Sequence, residues 1–106
     1  MKFILTVFAL FLTINLSAQP SPQDRAKKIA NDMAQVLDLD KKEKKAIYRI
    51  QLDRFNESVE IKKQYAAQSE VRKEKLNKLG SKVYNQLKDL LGPERLKKWR
   101  ESKKHK

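Results

Sequence analysis

The chain has no cysteine. That excludes disulfides and thiolate metal sites, and it leaves a short chain to find stability elsewhere. Glycine and proline are scarce, two and three respectively in 106 residues, a scarcity that describes a helix-rich protein. The single histidine, His105, sits in a charged tail, so a metal site would have to be built from carboxylates alone, and none cluster suitably. No His/Ser/Asp or Cys/His set and no glycine-rich phosphate loop occurs. Catalysis therefore has no support, and neither metal nor cofactor is expected. Acids are the minority charge: 13 against 25 lysines and arginines, for a formal net charge of +12. Such a balance favours contact with polyanions, acidic membrane surfaces or acidic polypeptides without choosing among them. A chain of this length holds one domain at most, and domains this small often add dimerisation to a modest core.

Long apolar runs are also few. Phe3 to Leu12 is one, broken only by Thr6, with Lys2 before it and Leu16-Ser17-Ala18 after it. A spanning helix needs about 20 apolar residues, so the run reads as the core of a secretory signal, with an uncleaved anchor as the alternative. The expectation is a signal peptide at 1–18, a single helical domain at 19–106, and a protein exported across the inner membrane to the periplasm. No cysteine follows the run to take a lipid.

What remains is patterned for helices. Ser21-Pro22-Gln23-Asp24 combines a cap, a proline suited to the first helical position and a capping-box acid. Ala26, Ile29, Ala30, Met33, Val36 and Leu37 follow on one face. Asp40 opens a second helix, and Glu43 completes a D-x-x-E box. The stretch from Asp40 to about Ala67 organises the rest. On a wheel of about 100° per residue it carries two neighbouring apolar stripes. Tyr48, Leu52, Phe55, Val59 and Ala66 form one; Ala46, Ile47, Ile50, Ile61 and Tyr65 form the other. Gln51, Arg54, Ser58 and Lys62 lie between them. The acids Asp53, Glu57 and Glu60 fall on the polar side, where pairing with nearby lysines is the default. The Lys41-Lys42-Glu43-Lys44-Lys45 cluster opposes the helix dipole and reads as a solvated turn or as an anion-attracting edge.

The next joint is poorly marked, because Gln68-Ser69-Glu70 contains neither Gly nor Pro. A turn is favoured there over one continuous helix from Asp40 to Leu91, which would leave its apolar faces without a partner from the same chain. Leu76, Leu79, Val83, Leu87, Leu90 and Leu91 then form a narrow seam. Gly80 falls on that seam, as a point of close helix approach or as a kink with Ser81. Leu91-Gly92-Pro93-Glu94 is clear punctuation: Gly92 suits a left-handed cap and Pro93 opens a last helix bearing Leu96 and Trp99 among cations. The reading is all-α, with four helices at about 22–37, 41–67, 70–91 and 93–103 in an antiparallel, hairpin-like arrangement.

The two marked joints resemble each other. Leu39-Asp40-Lys41-Lys42-Glu43 and Leu91-Gly92-Pro93-Glu94-Arg95 each place a leucine, a capping residue and a helix opening. The pair resembles the repeated LTxxQ motif of the Spy/CpxP family of periplasmic proteins, over roughly residues 24–99. Asp40 and Gly92 stand where that motif has threonine, and Glu43 and Arg95 where it has glutamine. Asp40 keeps the capping role, whereas Gly92 exchanges a side-chain cap for a backbone turn. The resemblance implies a cradle-shaped antiparallel homodimer that binds unfolded or stress-damaged envelope proteins without ATP, or that restrains an envelope-stress sensor kinase. Metal-sensing relatives carry histidine-rich ends, which this chain lacks.

A helix with so broad an apolar arc needs more than one partner surface. The first and third helices could cover both stripes and close a bundle. Alternatively, part of the arc faces a second subunit or a client. An exposed patch of ~400 Å² at ~25 cal/mol/Å² gives up to ~10 kcal/mol of gross transfer energy, against about 4–15 kcal/mol for association. That balance suits weak, reversible capture. The residues expected to make client contact are Ile50, Arg54, Phe55, Ile61, Lys62 and Tyr65. Leu39, Asp40, Glu43, Leu91, Gly92 and Arg95 are expected to set the architecture. An anionic membrane surface is a further partner, reached through the tail from Arg95 to Lys106, with Trp99 either at the headgroups or packed on the bundle end. Nucleic acid suits the charge but not an exported protein.

Overall fold

The computed structural model describes residues 20–104. The proposed signal peptide at 1–18 and His105 lie outside the described residues. Within them the chain is all-helical and without strands: α1 (Pro22–Leu37), α2 (Lys41–Gln64), α3 (Ser69–Leu91) and α4 (Pro93–Lys104).

Each helix end has a local chemical cause. At the start of α1 the Ser21 hydroxyl accepts the Asp24 N–H at 3.1 Å, and Pro22 occupies the first turn, where no N–H is needed. The helix stops because Asp38 turns left-handed (φ 54°, ψ 52°), and the Leu39 N–H folds back onto the Ala34 carbonyl at 3.1 Å. Asp40 then caps α2 with a complete capping box. The Glu43 N–H donates to the Asp40 carboxylate at 2.8 Å, and the Asp40 N–H donates to the Glu43 carboxylate at 3.3 Å.

The α2–α3 joint is a turn, and α2 ends at Gln64, three residues before the expected 67. Tyr65 leaves the helical basin at φ −113°, and the Gln68 N–H donates to the Tyr65 carbonyl at 3.1 Å. The Arg72 guanidinium reaches back to the Ala66 carbonyl at 2.8 Å. A side chain six residues on closes this turn, with no help from Gly or Pro. Gly92 also departs from expectation. Its φ of 86° is positive, but its ψ of 160° is extended, a region open essentially to glycine alone.

In the packing, α2 lies against both α1 and α3, and α4 closes the end of the bundle against α1 and α3. Glu57 meets Lys82 at 3.1 Å, Phe55 shares a recess with Leu79, and Ile50 shares a cleft with Leu90. Early residues of α2 therefore sit beside late residues of α3. The core runs through Ala30, Met33 and Leu37 of α1, Ile47 of α2, Leu79, Val83, Leu87 and Leu91 of α3, and Leu96 of α4. Met33 and Ile47 are fully enclosed. Burial on α2 follows Ile47, Gln51 and Phe55, a line passing through the polar gap between its two apolar stripes. Gln51 is only 2 % exposed. Its carboxamide oxygen accepts from Arg54 at 3.3 Å, and no buried side-chain polar atom among the described residues lacks a partner, so its burial carries no orphaned group.

Gly80 is not a close-approach point. A Cβ built there meets nothing within 4 Å, and α3 runs through it without interruption.

Core burial is confined to one end of the molecule. From residue 56 to residue 78 no residue is buried. At the inner edge of that distal part Ile61 packs half-buried against the core and Arg25 of α1 shares a recess with Ser58 and Lys62, and the molecule measures 61 × 31 × 27 Å, with a radius of gyration of 17.9 Å. A compact chain of this size would give about 12–13 Å. Among the described residues, no helix is long and apolar enough to cross a membrane.

Candidate functional site

The two motif-like joints meet in space. Leu91 is buried and Leu39 packs half-buried against the same core. Glu43, the closing residue of the first joint, uses both carboxylate oxygens. One accepts the Asp40 N–H, and the other accepts the Arg95 guanidinium at 2.8 Å. Arg95 in turn donates from Nε to the Leu91 carbonyl at 2.9 Å. The closing residues of the two joints are thus joined by a charge-assisted bond across 52 residues of sequence. The Arg95 hydrogen bond, followed by that from the Asp40 backbone, holds the Glu43 carboxyl below its ordinary range, and Glu43 raises Arg95 further. The arrangement ties the head of α2 to the start of α4.

The residues expected to contact clients divide between distinct places. Arg54, Phe55 and Lys62 line one recess, joined there by Arg25 of α1. Ile50 lines a separate cleft of about 500 Å³ with Ala46, Arg49 and Leu90. Ile61 is half-buried on the distal part of α2, and Tyr65 lies at its end with the Lys75 ammonium 5.8 Å from its ring centroid. Phe55 is not free for a partner: it is 6 % exposed, with the Arg25 guanidinium 4.0 Å from its ring centroid and that of Arg54 at 5.4 Å. The aromatic ring serves as a platform for two cations.

The distal part of α2 and α3 offers more apolar surface than the expected residues alone. Val59 is 40 % exposed. Ile61, Tyr65, Val71 and Leu76 are half-buried, and Lys62, Lys63, Lys73, Lys75 and Lys78 stand exposed around them. Arg25, Val71 and Leu76 were not singled out as contacts from the sequence. Arg25 lies on another helix, and its approach to Phe55 has no local signal. Val71 and Leu76 lie on the helix expected to be spent wholly on packing.

Ion pairing is sparse. Lys28–Asp32, Lys78–Glu74, Lys82–Glu57 and Arg95–Glu43 are the pairs among the described residues. Glu57 therefore pairs across to α3 and not along its own helix, and Asp53 and Glu60 have no ion-pair partner among the described residues. Most lysines stay unneutralised. Trp99 packs half-buried against the core cluster with the Lys103 ammonium 4.9 Å from its ring centroid. This is the bundle-end placement. No three metal-ligating side chains come together among the described residues.

No family model, curated protein or solved structure matches this chain. The likeness to the Spy/CpxP family is one of sequence pattern alone.

Proposed function

We propose that this protein is an ATP-independent, periplasmic, chaperone-like protein that holds unfolded or stress-damaged envelope proteins on a basic, partly apolar helical surface. One observation carries the reading: the distal part of α2 and α3 has no buried residue over 56–78, yet presents Val59, Tyr65, Val71 and Leu76 among lysines, with Ile61 half-buried against the core at its inner edge. A helix pair with unsatisfied apolar surface and unpaired cations suits weak capture of segments that mix apolar and acidic residues. In this reading α2 and α3 form an antiparallel hairpin, and two such hairpins join as a cradle-shaped homodimer. Restraint of a stress-sensor kinase would use the same surface on a folded partner.

The test is suppression of aggregation of an unfolding client, at low and high salt. Phe55 is buried, so a charge there would unfold the domain. Val59→Asp is the appropriate variant, because it spoils the apolar face at an exposed site. Wild type is expected to suppress aggregation, less so in high salt, and Val59→Asp to lose most of that effect while keeping its helical signal. A wild type that leaves aggregation untouched, yet sediments with anionic vesicles, would sink the reading in favour of a membrane-surface role.

A further inference from the structure

A second feature stands apart from client capture. Beside Phe55, all three long helices contribute to a recess of about 240 Å³. Arg25 enters from α1, Arg54, Ser58 and Lys62 from α2, and Gly80 from α3. No acid lines it, and none of the three cations has a carboxylate partner among the described residues. Three positive charges at one recess repel one another unless an anion joins them.

The cations are also held in place. Both guanidiniums lie over one face-forming ring, at 4.0 and 5.4 Å from the Phe55 centroid. Arg54 is fixed further by donating to Gln51 at 3.3 Å. That bond uses one guanidinium N–H, and the remaining donors of Arg25 and Arg54 have no protein acceptor among the described residues. Two oriented guanidinium forks with spare N–H groups match the lone pairs of a carboxylate or a phosphate. Gly80 is the independent observation. It is the only glycine inside a described helix, it costs helix propensity, and a Cβ there would meet nothing within 4 Å. Neither a tight turn nor a close helix contact requires it, and its backbone lines the recess.

We infer that the Arg25–Arg54–Lys62 recess is a binding site for a small oxyanion, a free phosphate or the carboxylate of an acidic residue in a polypeptide. The Ser58 hydroxyl supplies a further donor. The volume accommodates one such group.

The test is calorimetric titration of the full chain at fixed ionic strength with three probes. These are inorganic phosphate, a short neutral peptide carrying one glutamate, and the same peptide with glutamine. Chloride is the background. Phosphate or the glutamate peptide is expected to bind, with affinity lowered at least tenfold in Arg25→Gln and in Arg54→Gln. Lys98→Gln, an equal charge loss on α4, should leave it unchanged. Gly80→Leu fills the recess without removing charge and raises helix propensity. It should abolish binding while the thermal midpoint stays at or above wild type. Binding by phosphate alone identifies a free-anion site, and binding by the glutamate peptide alone identifies a polypeptide site. If neither exceeds chloride, or if Gly80→Leu binds as wild type does, there is no such site. Aggregation suppression plays no part in this readout, so the two proposals stand or fall separately.

Discussion

At the residue scale, the two glycines make opposite predictions. Gly92 holds φ 86° and ψ 160°, a conformation that costs other residues about 1–3 kcal/mol. Gly92→Ala should lower unfolding stability by that amount. Gly80 sits in a regular helix with room for a methyl group, and Gly80→Ala should raise stability by about 1 kcal/mol. Denaturant midpoints at unchanged slope would read both, and equal signs for the two would refute the assignment. Glu43 gives a pH prediction. Its carboxyl is held below the ordinary range, first by Arg95 and then by the Asp40 N–H. The stabilisation is therefore present above the unfolded carboxylate pKa and is lost as pH falls through the lower folded value. Glu43→Gln should flatten the acid limb of stability against pH, without altering the profile above neutrality. An unchanged acid limb would mean that the Arg95 contact does not persist in solution.

At the scale of elements, the helices were legible wherever the chain carries its own punctuation. Ser21-Pro22, Asp40 with Glu43, and Gly92-Pro93 are all local devices, and they place the ends of α1, the start of α2 and the start of α4. The end of α2 was not legible to the residue. Its turn is closed by Arg72 on the Ala66 carbonyl, and a long side chain reaching back six residues leaves no local propensity signal. The recess was half legible. Arg54, Phe55 and Lys62 follow from helical spacing, but Arg25 depends on how α1 lies across α2. Gln51 was missed because burial followed the geometric centre of two flanking helices, and that centre fell on a polar position. The absence of buried residues over 56–78 gives an element-level prediction. Amides of that stretch should exchange through local opening, well before those of residues 79–91, where the core lies. Uniform protection along α3 would show that the distal part is covered in solution, most simply by a second copy.

At the scale of the whole molecule, one end is a four-helix core and the other a pair of helices without a buried residue. A two-helix element with half-buried apolar residues is marginal by itself. Something gains by covering it, and a second copy is the nearest source. Sedimentation equilibrium should find a dimer at micromolar concentration, burying about 800 Å² per subunit over the distal part, and Val59→Asp should shift it toward monomer. A chain that stays monomeric at those concentrations would remove the cradle while leaving the client surface available. The net charge of +12 works against self-association at low salt, so dimerisation should strengthen with moderate salt as client capture weakens.

The bond between Glu43 and Arg95 has a consequence for the order of assembly. Chains emerge from synthesis amino end first, so the carboxylate at the head of α2 is made long before the guanidinium 52 residues later. Until the final helix arrives, the first joint is only half tied. A copy cut short after Leu91 would keep every buried leucine but Leu96 and still lack the clasp.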